Sequence, residues 1–232
     1  MKMKCPNIGE NDLIYSYKEQ WFTGFAPCFQ KGLYSLACCK GSKKGTGMRH
    51  SICQNFRSGK TIWIVSIAGK AIQSKDHNES NIDYAYEDAI YLAKVKKVYT
   101  WKEYAAQYPN REDAIYTLEN NRVKRNATNK GVHTDEYHRL NDCALNYRGW
   151  SESKIFCELE QIIVSDEYYI FESGVKIPDI LNIKRGFSFR ENGKNERTST
   201  LLSLVNKCEF AMGSGQNPFL TQDGKSRGGC QK

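Results

Sequence analysis

The chain has 232 residues, with 34 Lys and Arg against 26 Asp and Glu, a formal net charge of +8. No apolar run approaches the ~18 residues that cross a bilayer, and Met1-Lys2-Met3-Lys4-Cys5-Pro6 lacks the apolar stretch of a secretory signal. At 40% hydrophobic and 26% charged, the composition excludes a disordered or fibrous chain. A single domain over residues 1–212 is expected, with a polar insert at about 119–150 and a flexible tail over 213–232.

In chain order, Asp12-Leu13-Ile14-Tyr15-Ser16-Tyr17 has the aromatic and branched composition of a strand. Thr23-Gly24-Phe25-Ala26-Pro27 reads as a loop, and Gly32 to Cys39 as a second strand. From Lys40 to Lys60 the chain carries Lys40, Lys43, Lys44, Arg49, Arg57 and Lys60 and no acid, and its first part also holds Gly41, Gly45 and Gly47. This stretch reads as a loop. Glycine lets backbone N–H groups approach a phosphate and lysine supplies charge, so an anion cradle and a solvated loop both remain open. The spacing is not that of a P-loop.

Lys60 to Ala68 is the strongest strand signal, apolar enough to be buried on both faces. Residues 70–88 are polar and irregular, and Ala89 to Val98 reads as one further strand. Thr100-Trp101-Lys102-Glu103 has the spacing of a capping box, so a helix should start there and stop before Pro109. After the Asn-, Arg- and Lys-rich insert, Ile162-Ile163-Val164 and Tyr168-Tyr169-Ile170-Phe171 are strand-like around Ser165-Asp166-Glu167. Leu201, Leu202, Leu204 and Val205 lie at helical spacing. This order is not a regular βαβ alternation. It predicts an α+β fold, with a mixed β-sheet or a small PUA-like β-barrel, a few helices and a long polar insert.

The nine cysteines contain no C-x-x-C pair. Cys38 and Cys39 are adjacent on a strand-like run and should face opposite ways, which disfavours a joint zinc site. Reduced thiols in a cytoplasmic protein are the simplest reading. Neither a metal nor a cofactor is expected.

Three blocks carry a resemblance. Ile14-Tyr15-Ser16-Tyr17 with Thr23-Gly24-Phe25-Ala26-Pro27, then Leu36-Ala37-Cys38-Cys39-Lys40, then Ile163 to Phe171 with Ile177-Pro178, together resemble the nucleotide modification associated domain 2 family. That family occurs in bacteria and phages, near genes for modified DNA bases. The blocks span roughly residues 12–190. This chain departs from the family pattern with Cys28-Phe29 in place of Asn-Pro, and with Gly59-Lys60 in place of Gly-Asp. It also has Gly186-Phe187-Ser188-Phe189-Arg190 where a glycine segment carries His. The strand order is also similar to PUA-like barrels that read modified bases, an analogy of fold alone.

The resemblance implies binding of a nucleotide or modified base, free or in DNA, in a bacterial cytoplasm and with no membrane. The expected pocket lies between loop 23–28, strand end 38–40 and segment 165–169. Tyr15, Tyr17, Phe25, Tyr168 and Tyr169 would supply stacking surfaces, worth ~1–3 kcal/mol per base. Thr23, Gly24 and Ser165 would line the pocket, and Lys40 or Arg49 would hold a phosphate. Each aromatic could equally be core. A second reading is a base-modifying or nucleotide-processing enzyme using Cys38 or Cys39 with Glu167. A third is a phage protein that inhibits host defence by binding an acidic partner. Buried strand cysteines and a plain turn at Glu167 are the simpler alternatives to the enzyme.

Overall fold

The computed structural model describes residues 5–22, 24, 26–37, 47–74, 77–114, 116–120, 122–125, 160–183, 187–188 and 194–219. Within them the fold is α+β. Strands β1 (Leu13–Glu19), β3 (Ile62–Ala68), β4 (Ala89–Lys94), β9 (Tyr168–Phe171), β10 (Phe187–Ser188) and β11 (Phe210–Gly213) form one mixed sheet in the order β10-β1-β3-β4-β9-β11. The β1–β3 pair is parallel and the others are antiparallel. A second sheet has the order β2-β8-β5, from β2 (Tyr34–Leu36), β8 (Glu160–Ser165) and β5 (Lys97–Thr100). A separate hairpin joins β6 (Tyr116–Glu119) to β7 (Arg122–Arg125). Among the described residues the strands close no barrel.

The two sheets meet at a corner made by consecutive strands. The tight turn at 165–167 carries the chain from β8 in one sheet to β9 in the other, with Ser165 Oγ accepting from the Glu167 amide. Residues 95–96 do the same between β4 and β5, and the Lys94 and Lys96 amides donate to the carbonyls of Glu167 and Val164. Ala89 to Val98 therefore forms two strands rather than the single one expected. The apolar run continues through the corner, so periodicity alone does not reveal that the chain changes sheet.

Helix α1 (Met48–Arg57) lies inside the stretch read from sequence as a loop. Glycine and lysine dominate the composition of the stretch and mask the helix. The deciding residues are Met48, Ile52 and Cys53, whose spacing puts them on one buried face. Helix α2 (Trp101–Gln107) carries the expected capping box: the Glu103 amide donates to Thr100 Oγ1 and the Thr100 amide to Glu103 Oε2. Helix α3 (Lys194–Val205) presents Leu201 and Val205 to the core. The β6–β7 hairpin reaches into the segment read as an irregular insert, and insert residues 126–150 lie outside the described residues. Beyond β11, residues 214–216 are exposed, but Pro218 and Phe219 are buried, and Phe219, only 1% exposed, lies against Phe22 and Phe29.

Strand β3 is buried along its whole length, as its apolar run implied. Among the described residues no helix is long and apolar enough to cross a membrane.

Candidate functional site

The layer between the two sheets is aromatic and polar. On β1, alternation places Tyr15, Tyr17 and Glu19 on one face. Tyr17 is in register with Ser66 of β3, and Ser66 with Tyr91 of β4, so three strands bring these side chains into one row. Glu19 is buried at 4% exposure. Its Oε2 accepts from the Tyr17 hydroxyl at 3.1 Å and from Ser66 Oγ at 2.5 Å. The Tyr17 hydroxyl also bonds the Tyr91 hydroxyl. From the opposing sheet, the Tyr34 hydroxyl reaches Tyr91 at 3.3 Å. Burial, above all, pushes the phenols of Tyr34 and Tyr91 well above their ordinary range, so both keep their protons at neutral pH.

Rings continue the layer. Phe29 packs against Tyr34, Tyr91 and Tyr168 with centroids 5.1–5.5 Å apart, a spacing at which edge-to-face contacts are favourable. Arg49, in the first turn of α1, is fully buried and donates to the backbone carbonyl of Gln161 on β8. Tyr34 feels both charges: Glu19 raises its pKa and Arg49 lowers it.

The residues expected from sequence divide into groups. Tyr17 and Tyr168 belong to this layer, and Arg49 borders it. Tyr15 lies on the same face of β1, but its hydroxyl bonds Ser51 and Asn55 of α1. Tyr168 donates to the Gln216 carbonyl at 2.5 Å. Tyr169 points to the other face of the sheet and packs on Trp63 and Phe210. Ser165 shapes the corner turn through its own hydrogen bonds. Glu167 forms an ion pair with Lys96 at 2.6 Å, away from the layer. Gly24 has φ +81°, and a Cβ there would meet the Phe219 ring at 2.7 Å, so the position requires glycine. Thr23, Phe25, Cys38, Cys39 and Lys40 lie outside the described residues.

Glu19, Tyr34, Ser66, Tyr91 and Gln161 did not stand out in the sequence. Two of them carried a signal. Ser66 interrupts an otherwise apolar buried strand, and Glu19 sits two residues after Tyr17 on the same face. A polar residue on the buried face of a strand needs an explanation.

A second buried polar system lies behind β2. Arg111 donates to the carbonyls of Cys28, Gln30 and Leu33, to Ser35 Oγ and to the Tyr104 hydroxyl, and pairs with Asp113 at 3.3 Å. Asp113 in turn accepts from Ser35 and Tyr104. Burial opposes the guanidinium charge, but Asp113 and Tyr104 outweigh it and the group is held charged. Burial pushes the Cys28 thiol up to about 12, which removes it as a nucleophile. This cluster fixes residues 28–35, and with them Phe29 and Tyr34, against the layer.

A surface recess of about 400 Å³ lies between segments 72–74 and 83–85, and none of the expected site residues lines it. Among the described residues no group of three or more His, Cys, Asp or Glu could hold a metal. The chain matches no family model, no curated protein and no solved structure.

Proposed function

We propose that this protein binds a nucleotide or a modified nucleobase in the layer between its two sheets, with the base among the rings of Phe29, Tyr34, Tyr91 and Tyr168. One observation carries the reading: a carboxyl group, hydroxyls and an arginine are gathered in the core between the sheets. An apolar core of the same volume is usually at least as stable, and buried polar groups cost free energy unless all are paired. Aromatic faces beside hydrogen-bonding groups are what recognition of an extracted base requires. Tyr34 and Tyr91 keep their hydroxyl protons, and the Glu19 carboxyl accepts hydrogen bonds, so the layer offers both donors and acceptors.

The resemblance to the nucleotide modification associated domain 2 family supports the same reading, with a role in DNA base modification or in phage–host conflict. Support for a PUA-like architecture comes from the corner, where consecutive strands pass from one sheet to the other as in a partly opened barrel. Native mass spectrometry of the purified protein, followed by titration with free nucleotides and modified-base DNA, tests the proposal. A retained or micromolar ligand is expected. No binding by any of these at micromolar concentration overturns it. Duplex binding would weaken steeply between ~50 and 200 mM salt, whereas a stacked free nucleotide would respond far less.

A further inference from the structure

Gln161 is fully buried, and neither its side-chain nitrogen nor its side-chain oxygen has a hydrogen-bond partner. A buried amide in that state is costly, because both a donor and an acceptor are removed from water with nothing in return. Its backbone position is also irregular. On β5, Tyr99 faces Ile162 and Thr100 faces Glu160, so Gln161 is the unopposed residue of a β-bulge. Bulges re-aim a side chain and occur beside functional sites. The carbonyl of this residue is taken by Arg49.

Gln161 and Arg49 thus meet where the first turn of α1 abuts β8. The same helix reaches the layer face of β1, where Ser51 and Asn55 hydrogen-bond the Tyr15 hydroxyl, two residues along that face from Tyr17.

We infer that Gln161 reads the hydrogen-bonding edge of the bound base, its amide pairing with one donor and one acceptor that lie side by side on the ligand. A carboxamide presents an N–H beside a C=O, the complement of a nucleobase edge. A phosphate offers only acceptors and would leave the amide oxygen unpaired. The inference rests on the nucleotide-binding reading and adds the residue that recognises the base.

The test compares the full-length protein with Gln161→Leu and Gln161→Glu. The probes are adenosine, guanosine, cytidine, uridine and hydroxymethylcytidine monophosphates. Leu keeps the approximate volume and removes both unpaired polar atoms, so Gln161→Leu should melt at a higher temperature than the parent. It should also bind its preferred monophosphate about tenfold or more weakly, the loss expected for one bidentate pair. Gln161→Glu replaces the donor with an acceptor and should lose affinity by a similar factor. Parent-like affinity in Gln161→Leu, or a lower melting temperature, overturns the inference while leaving nucleotide binding intact. Failure of the parent protein to bind any of the monophosphates overturns it too, and titration with modified-base DNA then shows whether the broader reading falls with it.

Discussion

Strand β2 separates two buried polar systems that differ in how completely they close. Behind it, Ser35 faces Arg111 and Asp113, whose hydrogen bonds end on loop carbonyls and neighbouring side chains. In front of it, Tyr34 faces a layer of hydroxyls and rings that runs to Glu19, and on the neighbouring β8 the Gln161 amide is buried without a partner. The contrast separates two uses of buried polarity. A charged pair that satisfies several loop carbonyls at once takes the place of regular secondary structure and holds the loop. A fully buried amide left without a partner carries a cost that folding alone does not explain.

The largest effect should come from the closed system. Asp113→Ala leaves the Arg111 charge buried without its carboxylate and should lower unfolding free energy by about 3–5 kcal/mol, read from urea denaturation. Its effect on nucleotide binding should follow the folded fraction and no more. Binding lost while the fold stays intact would place Asp113 in the ligand site and break the distinction.

A smaller loss of stability is expected in the layer. Tyr91→Phe removes the hydroxyl between Tyr17 and Tyr34 and should cost about 1–2 kcal/mol. Here nucleotide affinity should fall although the protein remains folded. A variant that loses stability but binds as the parent does would make the layer purely structural.

The smallest effect lies outside both systems and calibrates them. Glu87 is held down to about 2 by a hydrogen bond from Asn182, then by Lys18 at 2.9 Å. A carboxyl whose folded pKa lies below its unfolded one stabilises the fold above the unfolded value, here 4.5, and loses that contribution as pH falls through about 2. The stability difference between the parent and Glu87→Gln should be constant at neutral pH and vanish in strong acid. Because Glu87 is 36% exposed, solvent screens the pair and the difference should be small. A difference that persists at the acid limit would show that the variant acts through something other than this charge.

Much of the framework was legible in residue pattern. The apolar run at 62–68, the Thr100–Glu103 capping box and the pair of strands around Ser165-Asp166-Glu167 each have a local cause, and each forms where expected. Helix α1 was hidden because glycines and lysines precede and flank its apolar face. Of the site, Tyr17, Tyr168 and Arg49 could be singled out by residue type. Their partners could not: Tyr34 and Tyr91 come from different sheets, and Glu19 reads as the polar end of a strand.

The sequence by itself determined the segments with a strong local signal, such as β3, the capped start of α2 and the strands on either side of residues 165–167, because backbone preference and hydrophobic period act over a few residues. Only the tertiary structure decided that β4 and β5, and again β8 and β9, turn a corner between sheets. It also decided that Tyr17, Ser66 and Tyr91 fall in one row, and that Gln161 stands unopposed against Arg49. Those outcomes depend on register and on contacts between residues 25 to 112 positions apart. Composition and local periodicity carry no information about them.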